Sequence, residues 1–285
     1  RDWLTLAALG AILAVAGALR ARFLLPDAAG ALPASHYDEM VYLEAALLWV
    51  RGLRPYGDFF LAHPPGILLA FAPAAAFGQA WGGMPVLLAG RWMQGLYGAA
   101  AVLLLYCAGR RLGGRVAGLA AALVLATDIQ AVQVAPLETV VNLATTAAVA
   151  LYLGATTAKR LGPRLLLAGL AGAAGTMAVA TKAPGAVALL LLALWAMGGR
   201  QWRELGAGAV GAAAAGLPLG GLFALPDLGA FWRQVLAFQM LRPQETTYGR
   251  NHLLRMADYP ESRLTFLLLI AAILMLSGFA LAEGW

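Results

Sequence analysis

Charge is what this chain has least of: only 12% of its 285 residues are Asp, Glu, Lys or Arg, about half the share of a soluble domain. Lysine occurs twice, at Lys159 and Lys182, and cysteine once, at Cys107. A lone cysteine closes no intrachain disulfide, so cysteine usage says nothing about compartment. The three histidines, His36, His63 and His252, have no metal-ligand spacing, which leaves a zinc site unsupported. No Gly-rich phosphate loop follows a strand pattern, so ATP and sugar nucleotides are not expected substrates. Convincing internal repeats are also missing.

What the chain has instead is apolar material, 61% of the residues, with a mean hydropathy of +0.75. That balance excludes an ordinary cytosolic globular protein, a disordered chain and a disulfide scaffold, and points to an all-α polytopic membrane protein. The net charge of +6 comes from short basic clusters between apolar runs. Cytoplasmic loops of membrane proteins look like this, and nucleic acid is not an expected partner. Residue 1 is Arg and the chain stops soon after an apolar run, so the expectation is a single transmembrane module, 1–285, cut from a longer chain.

Eight runs are expected to cross a hydrocarbon core of ~30 Å: about 3–19, 88–108, 113–130, 138–157, 164–180, 184–198, 204–225 and 263–282. The run 64–80 is apolar but carries Pro64, Pro65 and Pro73, and proline inside a helix removes a bond and kinks it. Charge argues against its crossing. With 64–80 left as a membrane-dipping or interfacial segment, one side holds Arg110, Arg111, Arg115, Lys159, Arg160, Arg164, Arg200 and Arg203, with Glu204 as its only acid. The other side, loops of about 20–87, 131–137 and 226–262, holds nearly all the remaining acids. This is the positive-inside pattern, with a cytoplasmic N-terminus. Chemistry is therefore expected on the outer face. Small residues such as GAGAVGAAAAG at 206–216 permit close helix packing.

The first outer loop reads SHYDEMVYLEAALLWVRGLRPYGDFFLAHPPG. Asp38 and Glu39 open a stretch with Met40, Leu43, Leu47 and Val50 at helical spacing, expected as an amphipathic helix on the membrane surface. Asp38 serves either as an N-cap or as a general base for an incoming hydroxyl, a role that contributes roughly 10²–10⁴-fold. In the second outer loop Glu138 follows Pro136 at the start of a span. There it is favoured by the helix dipole, and it is also a candidate partner of the Asp38 site, since acids at the membrane face tend to line polar cavities. Asp128 reads as loop surface. Lys182, in ATKAPG, is either a snorkelling side chain or a cation for a departing lipid phosphate, and Arg91 invites the same two readings. The last outer loop suits a second interfacial helix through Phe231, Trp232, Val235, Phe238 and Leu241. Its Arg233, Arg242 and Arg250 can hold a phosphate by forked hydrogen bonds, or stand solvated.

Taken in order, YDEMVYLEAA (37–46), PYGDFFLAHPPG (55–66), GRWMQGLYGAAAVLLLYCAGRRLGGR (90–115), ATKAPG (180–185) and AFWRQVLAFQMLRP (230–243) resemble the GT-C membrane glycosyltransferases. The likeness is to the family that includes protein O-mannosyltransferases and the lipid A aminoarabinose transferase. It implies a GT-C-type transmembrane bundle with interfacial helices in the first and last outer loops. It further implies inverting transfer of a sugar from a polyprenyl-phosphate donor to a hydroxyl acceptor on a protein, lipid or glycan, in the cytoplasmic membrane with the site facing outward. Asp38 matches the acid used as base, Glu39 its neighbour and Glu138 a second acidic motif. Lys182, Arg91, Arg242 and His63 fall at positions suited to the donor phosphate, His63 standing where relatives often carry Lys before Pro-Pro. Some members use a divalent metal, to which Asp38 and Glu138 could contribute ligands, and others none. Relatives often carry more spans and sometimes a C-terminal extracytoplasmic domain.

Two other classes fit the composition: a lipid or small-molecule transporter or flippase, and a non-catalytic assembly subunit. A transporter would show paired broken helices and ionisable groups near the bilayer midplane, whereas these acids lie at span ends and in outer loops. The span map makes a direct prediction. Cysteine introduced at Leu112, in a Cys107→Ser background, should react with an impermeant thiol reagent only from the cytoplasmic side; labelling from outside would invert the map.

Overall fold

The computed structural model describes residues 2–24, 37–81, 83–128 and 136–241. Regular structure among them is helical throughout, with one isolated bridge between Pro55 and Phe59. The helices are α1 (Asp2–Leu24), α2 (Tyr37–Val50), α3 (Gly66–Trp81), α4 (Gly83–Thr127), α5 (Pro136–Thr157), α6 (Leu161–Thr181), α7 (Ala186–Gly198) and α8 (Trp202–Leu219). After α8 the chain widens into a π-turn at Gly220–Ala224 and breaks at Asp227, whose carboxylate accepts from the Ala230 amide at 2.8 Å. It then continues as α9 (Leu228–Phe231), a π-turn (Trp232–Ala237) and α10 (Phe238–Leu241). Arg1–Gln239 is one packed unit and Met240–Trp285 a second, of which Met240 and Leu241 alone are described. The expected last span, 263–282, lies outside the described residues, as do Arg242, Arg250, His36 and His252.

Long apolar stretches set the architecture. Among the described residues, five are long and apolar enough to cross a membrane: Trp3–Ala21, Pro85–Thr127, Leu137–Thr157, Leu161–Thr181 and Trp202–Leu241. Gly66–Trp81 and Ala183–Gly198 are shorter apolar helices. Trp3 and Leu6 on α1, Leu190, Leu191 and Leu194 on α7, and Val210 and Leu217 on α8 are all exposed. Apolar surface of this extent suits contact with lipid rather than water. The chain is thus an all-α polytopic membrane protein.

α4 is two limbs. Gly113 leaves helical geometry and Gly114 takes φ +78°, a left-handed conformation that glycine adopts without steric cost. The second limb folds back so that Val102 and Tyr106 meet Ala122 and Ala126 in one buried cluster, joined by Leu9 and Ala16 of α1. In sequence order α4 packs on α1 and α5, α5 on α6, and α6 on α8; α2 and α3 pack together and against α4.

α3 occupies the doubtful run 64–80. It is helical across Pro73, and it buries Ile67, Leu68, Phe71, Ala74 and Ala75. The proline ring faces outward, and nearby the Tyr97 hydroxyl donates to the Ala70 carbonyl at 2.7 Å. That carbonyl is next to the one that Pro73 deprives of its usual donor.

The α6–α8 contact is backbone on backbone. A Cβ at Gly172 would lie 1.9 Å from the Gly208 carbonyl oxygen, and one at Gly211 would lie 1.9 Å from that of Gly169. Gly172→Ala must push the helices apart, at a cost of ~1–3 kcal/mol by overpacking. A lowered thermal midpoint in detergent is expected, with Gly206→Ala, which meets nothing within 4 Å, as the unaffected control. Equal midpoints for the two variants would disprove the tight contact.

Candidate functional site

Asp38 and Glu39 fall in the first turn of α2, so Asp38 lies inside the helix rather than capping it. The stripe that packs inward is Glu39, Tyr42, Leu43, Ala46 and Leu47, and Met40, expected on the apolar face, is 53% exposed. Leu43 and Leu47 are buried as expected and Val50 packs on the core, so Met40 alone departs, in the turn where Glu39 takes the buried position. Arg91 Nε donates to Glu39 Oε1 at 3.0 Å and to Oε2 at 3.2 Å, and Nη2 donates to Oε2 at 3.0 Å. Side-chain exposure is 2% for Arg91 and 0% for Glu39. Two charges withdrawn from water this completely hold only if paired and hydrogen-bonded, as these are. Gly90 makes the approach feasible, since a Cβ there would lie 2.6 Å from Leu43 Cδ2. Asp38, one residue before Glu39, is half-buried.

Further along the same face of α4 stands Gln94, 4% exposed, with no hydrogen-bond partner for its amide among the described residues. One turn on, Arg20 of α1 lies over Gly98, where a Cβ would come within 2.8 Å of its Nε, and donates to the Ala16 carbonyl at 3.0 Å. α4 thus carries a buried polar line at its α1- and α2-facing side. Intramembrane polar groups of this kind are functional suspects by default.

The segment between α2 and α3 is built around Tyr56. This residue takes φ +68° and is buried, and its hydroxyl donates to the His63 carbonyl at 2.9 Å. Burial pushes the phenol pKa up, so the group stays neutral and donating. A clasp precedes it: the Arg54 amide and guanidinium bond the Asp58 carboxylate at 2.7 Å and 3.1 Å. Those hydrogen bonds hold the Asp58 carboxyl below the usual carboxylate range. The His63 ring stands edge-on to Tyr42, with centroids 5.7 Å apart. Tyr42 follows Asp38 by four residues, so Asp38 sits one helical turn up the same side of α2.

The 228–239 segment, expected as an interfacial helix, is an interrupted helix held against the chain between α2 and α3. Gln234 Nε2 donates to the Tyr56 carbonyl at 2.8 Å, and its Oε1 accepts from the Leu61 amide at 2.9 Å. Gln239 donates to the Ala62 carbonyl at 2.9 Å. Phe231 and Phe238 set their rings edge-on to Tyr56 and Phe60, at 5.1 Å and 5.2 Å, while Trp232 remains exposed. The arginines and aromatics drew attention in the sequence; the aromatics supply the ring contacts, and the two glutamines supply the hydrogen bonds of the dock. Their only signal was a polar residue recurring within an apolar stripe.

On α5, Pro136 opens the helix, where its missing N–H costs nothing, and Glu138 follows in the first turn. Lys182, extended at φ −152°, ends α6 and donates to Glu138 Oε1 at 2.5 Å. The pair is about one-third exposed. Its neighbours Leu137 and Val140 join the cluster that holds Tyr42, Leu43, Tyr56, Leu61 and Ile67. Gly66 closes the ring, pressed so tightly onto α6 that a Cβ would lie 2.7 Å from the Ala180 carbonyl.

The structure therefore gathers Glu39 with Arg91, and Glu138 with Lys182, around one apolar cluster at one end of the bundle, with Asp38 on the first turn of α2 and His63 packed on Tyr42 of that helix. Arg242 lies outside the described residues. Among the described residues no group of three or more His, Cys, Asp or Glu could hold a metal, so Asp38 and Glu138 have no third ligand of those types. At the opposite end Arg164 pairs with the buried Glu204.

The class that the fold and these groups define is a polytopic helical membrane protein with buried, ion-paired carboxylates. The family is more specific. Residues 63–219, more than half the chain, match the model of the dolichyl-phosphate-mannose-protein mannosyltransferase family. The chain belongs to that family, a group of GT-C type, and has a glycosyltransferase kind of function. The matched region begins at His63 and takes in Arg91, Glu138 and Lys182. None of the curated proteins and none of the solved structures matches.

Glu39→Gln leaves the Arg91 charge buried without its counter-charge and is expected to cost ~3–5 kcal/mol, whereas replacing both partners by Leu should cost much less. Thermal unfolding of Glu39→Leu, Arg91→Leu and the double variant, beside Glu39→Gln, checks this. Additive losses would mean the pair is not coupled.

Proposed function

We propose that this protein is an inverting glycosyltransferase that moves a sugar from a polyprenyl-phosphate donor to a hydroxyl acceptor at the extracytoplasmic face of the cytoplasmic membrane. The observation that carries this reading is the gathering of Asp38, the Glu39–Arg91 pair and the Glu138–Lys182 pair around one cluster, in a chain of this family. The charge separation between the two ends of the bundle supports an outward site.

In the proposed reaction the acceptor hydroxyl attacks the anomeric carbon as Asp38 takes its proton. The new carbon–oxygen bond forms as the bond to the lipid phosphate breaks, and polyprenyl phosphate leaves with the electron pair. One base suffices for inversion, unlike the two carboxylates of glycosidases. Charge develops on the departing phosphate, where a preorganised cation lowers the barrier. Lys182 supplies it. Its ammonium carries three donors, of which Glu138 occupies one, so Glu138 aims the lysine and leaves it capacity for a phosphate oxygen. Glu39 and Arg91 engage each other and act through Asp38 by fixing the first turn of α2. His63 and Arg242 are assigned to the donor side, His63 through its packing on Tyr42 and Arg242 from the sequence.

Asp38→Asn keeps the shape and removes the base, so transfer from labelled polyprenyl-phosphate sugars should be abolished while donor binding survives. Turnover by this variant would defeat the base assignment. Lys182→Ala is expected to weaken donor binding by ~1–3 kcal/mol, the range for a lost charged hydrogen bond. Unchanged donor affinity would take Lys182 out of the site.

A further inference from the structure

One side chain from the far end of the described chain fixes the bend between α2 and α3. Gln234 donates through Nε2 to the Tyr56 carbonyl at 2.8 Å and accepts through Oε1 from the Leu61 amide at 2.9 Å. Between those two groups the chain turns on itself, with the Tyr56 amide donating to the Phe59 carbonyl at 3.0 Å. A single carboxamide thus satisfies a backbone group on either side of the bend.

The helix that carries Gln234 is deformed in a way that serves this dock. Gln234 and Gln239 would point ~140° apart on a regular α-helix of 3.6 residues per turn. Trp232–Ala237 is instead a π-turn, in which the Phe238 amide bonds the Arg233 carbonyl five residues back. This wider winding brings residues five apart nearer to one face. Both glutamines then reach the same segment, Gln239 at the Ala62 carbonyl.

What the bend carries is His63. Its carbonyl accepts from the Tyr56 hydroxyl, and its ring packs on Tyr42, one turn from Asp38. Tyr56 is therefore bonded at three points, its amide to Phe59, its carbonyl to Gln234 and its hydroxyl to His63. Tyr56, Leu61 and Gln234 all lie outside the region 63–219 that matches the family, so that likeness assigns none of them a role.

We propose that Gln234 is a positioning residue for the transfer reaction, acting through Tyr56 and Leu61 to set His63 on the donor side of the site. The proposal rests on the glycosyltransferase reading above. A polar dock suits this role because hydrogen bonds are directional, and one given with one accepted admits a single register of the bend.

The test compares wild type, Gln234→Ala and Gln234→Glu in vesicles, with labelled polyprenyl-phosphate sugars as donors. Gln234→Ala should raise the donor KM about tenfold, the weight of the lost hydrogen bonds, with a much smaller change in kcat. Modification of His63 by diethyl pyrocarbonate, read by mass spectrometry, should become several-fold faster. Gln234→Glu separates positioning from folding. Its carboxylic acid copies the amide, donating to Tyr56 and accepting from Leu61, whereas its carboxylate has no proton to donate and repels the Tyr56 carbonyl. The dock favours the protonated form. The donor KM relative to wild type should therefore be close to unity at the acid end and climb as pH rises, while that of Gln234→Ala stays level. The charged and titratable groups of the two docked segments, Arg51, Arg54, Asp58 and His63 on one and Asp227 and Arg233 on the other, are common to all three proteins and cancel in this ratio. An unchanged donor KM in Gln234→Ala, an unchanged His63 rate, or a Gln234→Glu ratio level with pH each overturns the proposal, the last deciding alone if Gln234→Ala does not fold. A wild type that transfers from none of the donors defeats the glycosyltransferase reading and the proposal with it, so the wild type tells the two failures apart.

Discussion

Glu39 and Arg91 have almost no contact with solvent, and much of the upper bundle is arranged so that they need none. Removing both from water is unfavourable, and the attraction between them offsets that cost only in a fixed, doubly bonded geometry. The geometry in turn demands that α2 lie hard against α4, which Gly90 permits by leaving room for Leu43. With α2 pinned, Tyr42 faces the His63 ring, Tyr56 reaches the His63 carbonyl, and the segment from Arg51 to Pro65 has a surface to fold on. Asp38 inherits its position from its neighbour. A salt bridge of this kind contributes little net stability against a well-packed apolar alternative, and its value here is orientation.

The second pair works under different conditions. Glu138 and Lys182 remain about one-third exposed, so solvent screens them and the bond between them is weaker and more adjustable. That difference divides their roles in the proposed mechanism. The enclosed pair sets the scaffold, and the half-open pair can share its ammonium with an incoming anion. The two lie at the margins of one apolar cluster that draws on α2, α3, α5 and the chain after α8, so elements distant in sequence answer to the same packing.

The two ends of the bundle are built on opposite principles. One collects acids and matches them with cations from other helices; the other carries a surplus of arginine and lysine around the buried acid Glu204. Between them the bundle is held by shape, through glycines that bring helix backbones into contact and through alanines that fill what remains.

Much of this was legible in the residues. Long apolar runs between basic clusters specify membrane-crossing helices because backbone polar groups in lipid must be satisfied within the segment. Acids at helix starts and a lysine between two spans were conspicuous in a chain so poor in charge. Their identity as candidate residues, and the glycosyltransferase family, came from sequence alone. Which charge meets which did not. Arg91 read as either a snorkelling side chain or a phosphate ligand, and only the crossing of α2 over α4 gives it Glu39. The face that α2 buries was misjudged at Met40, because periodicity scores apolar residues and cannot score a glutamate that finds a buried partner. Gln234 and Gln239 were passed over for the same reason: their partners are carbonyls and amides more than 170 residues away. Local pattern determines the helices and which residues are rare enough to matter. Long-range packing decides which of them touch, since a hydrogen bond between distant segments leaves no period in the sequence.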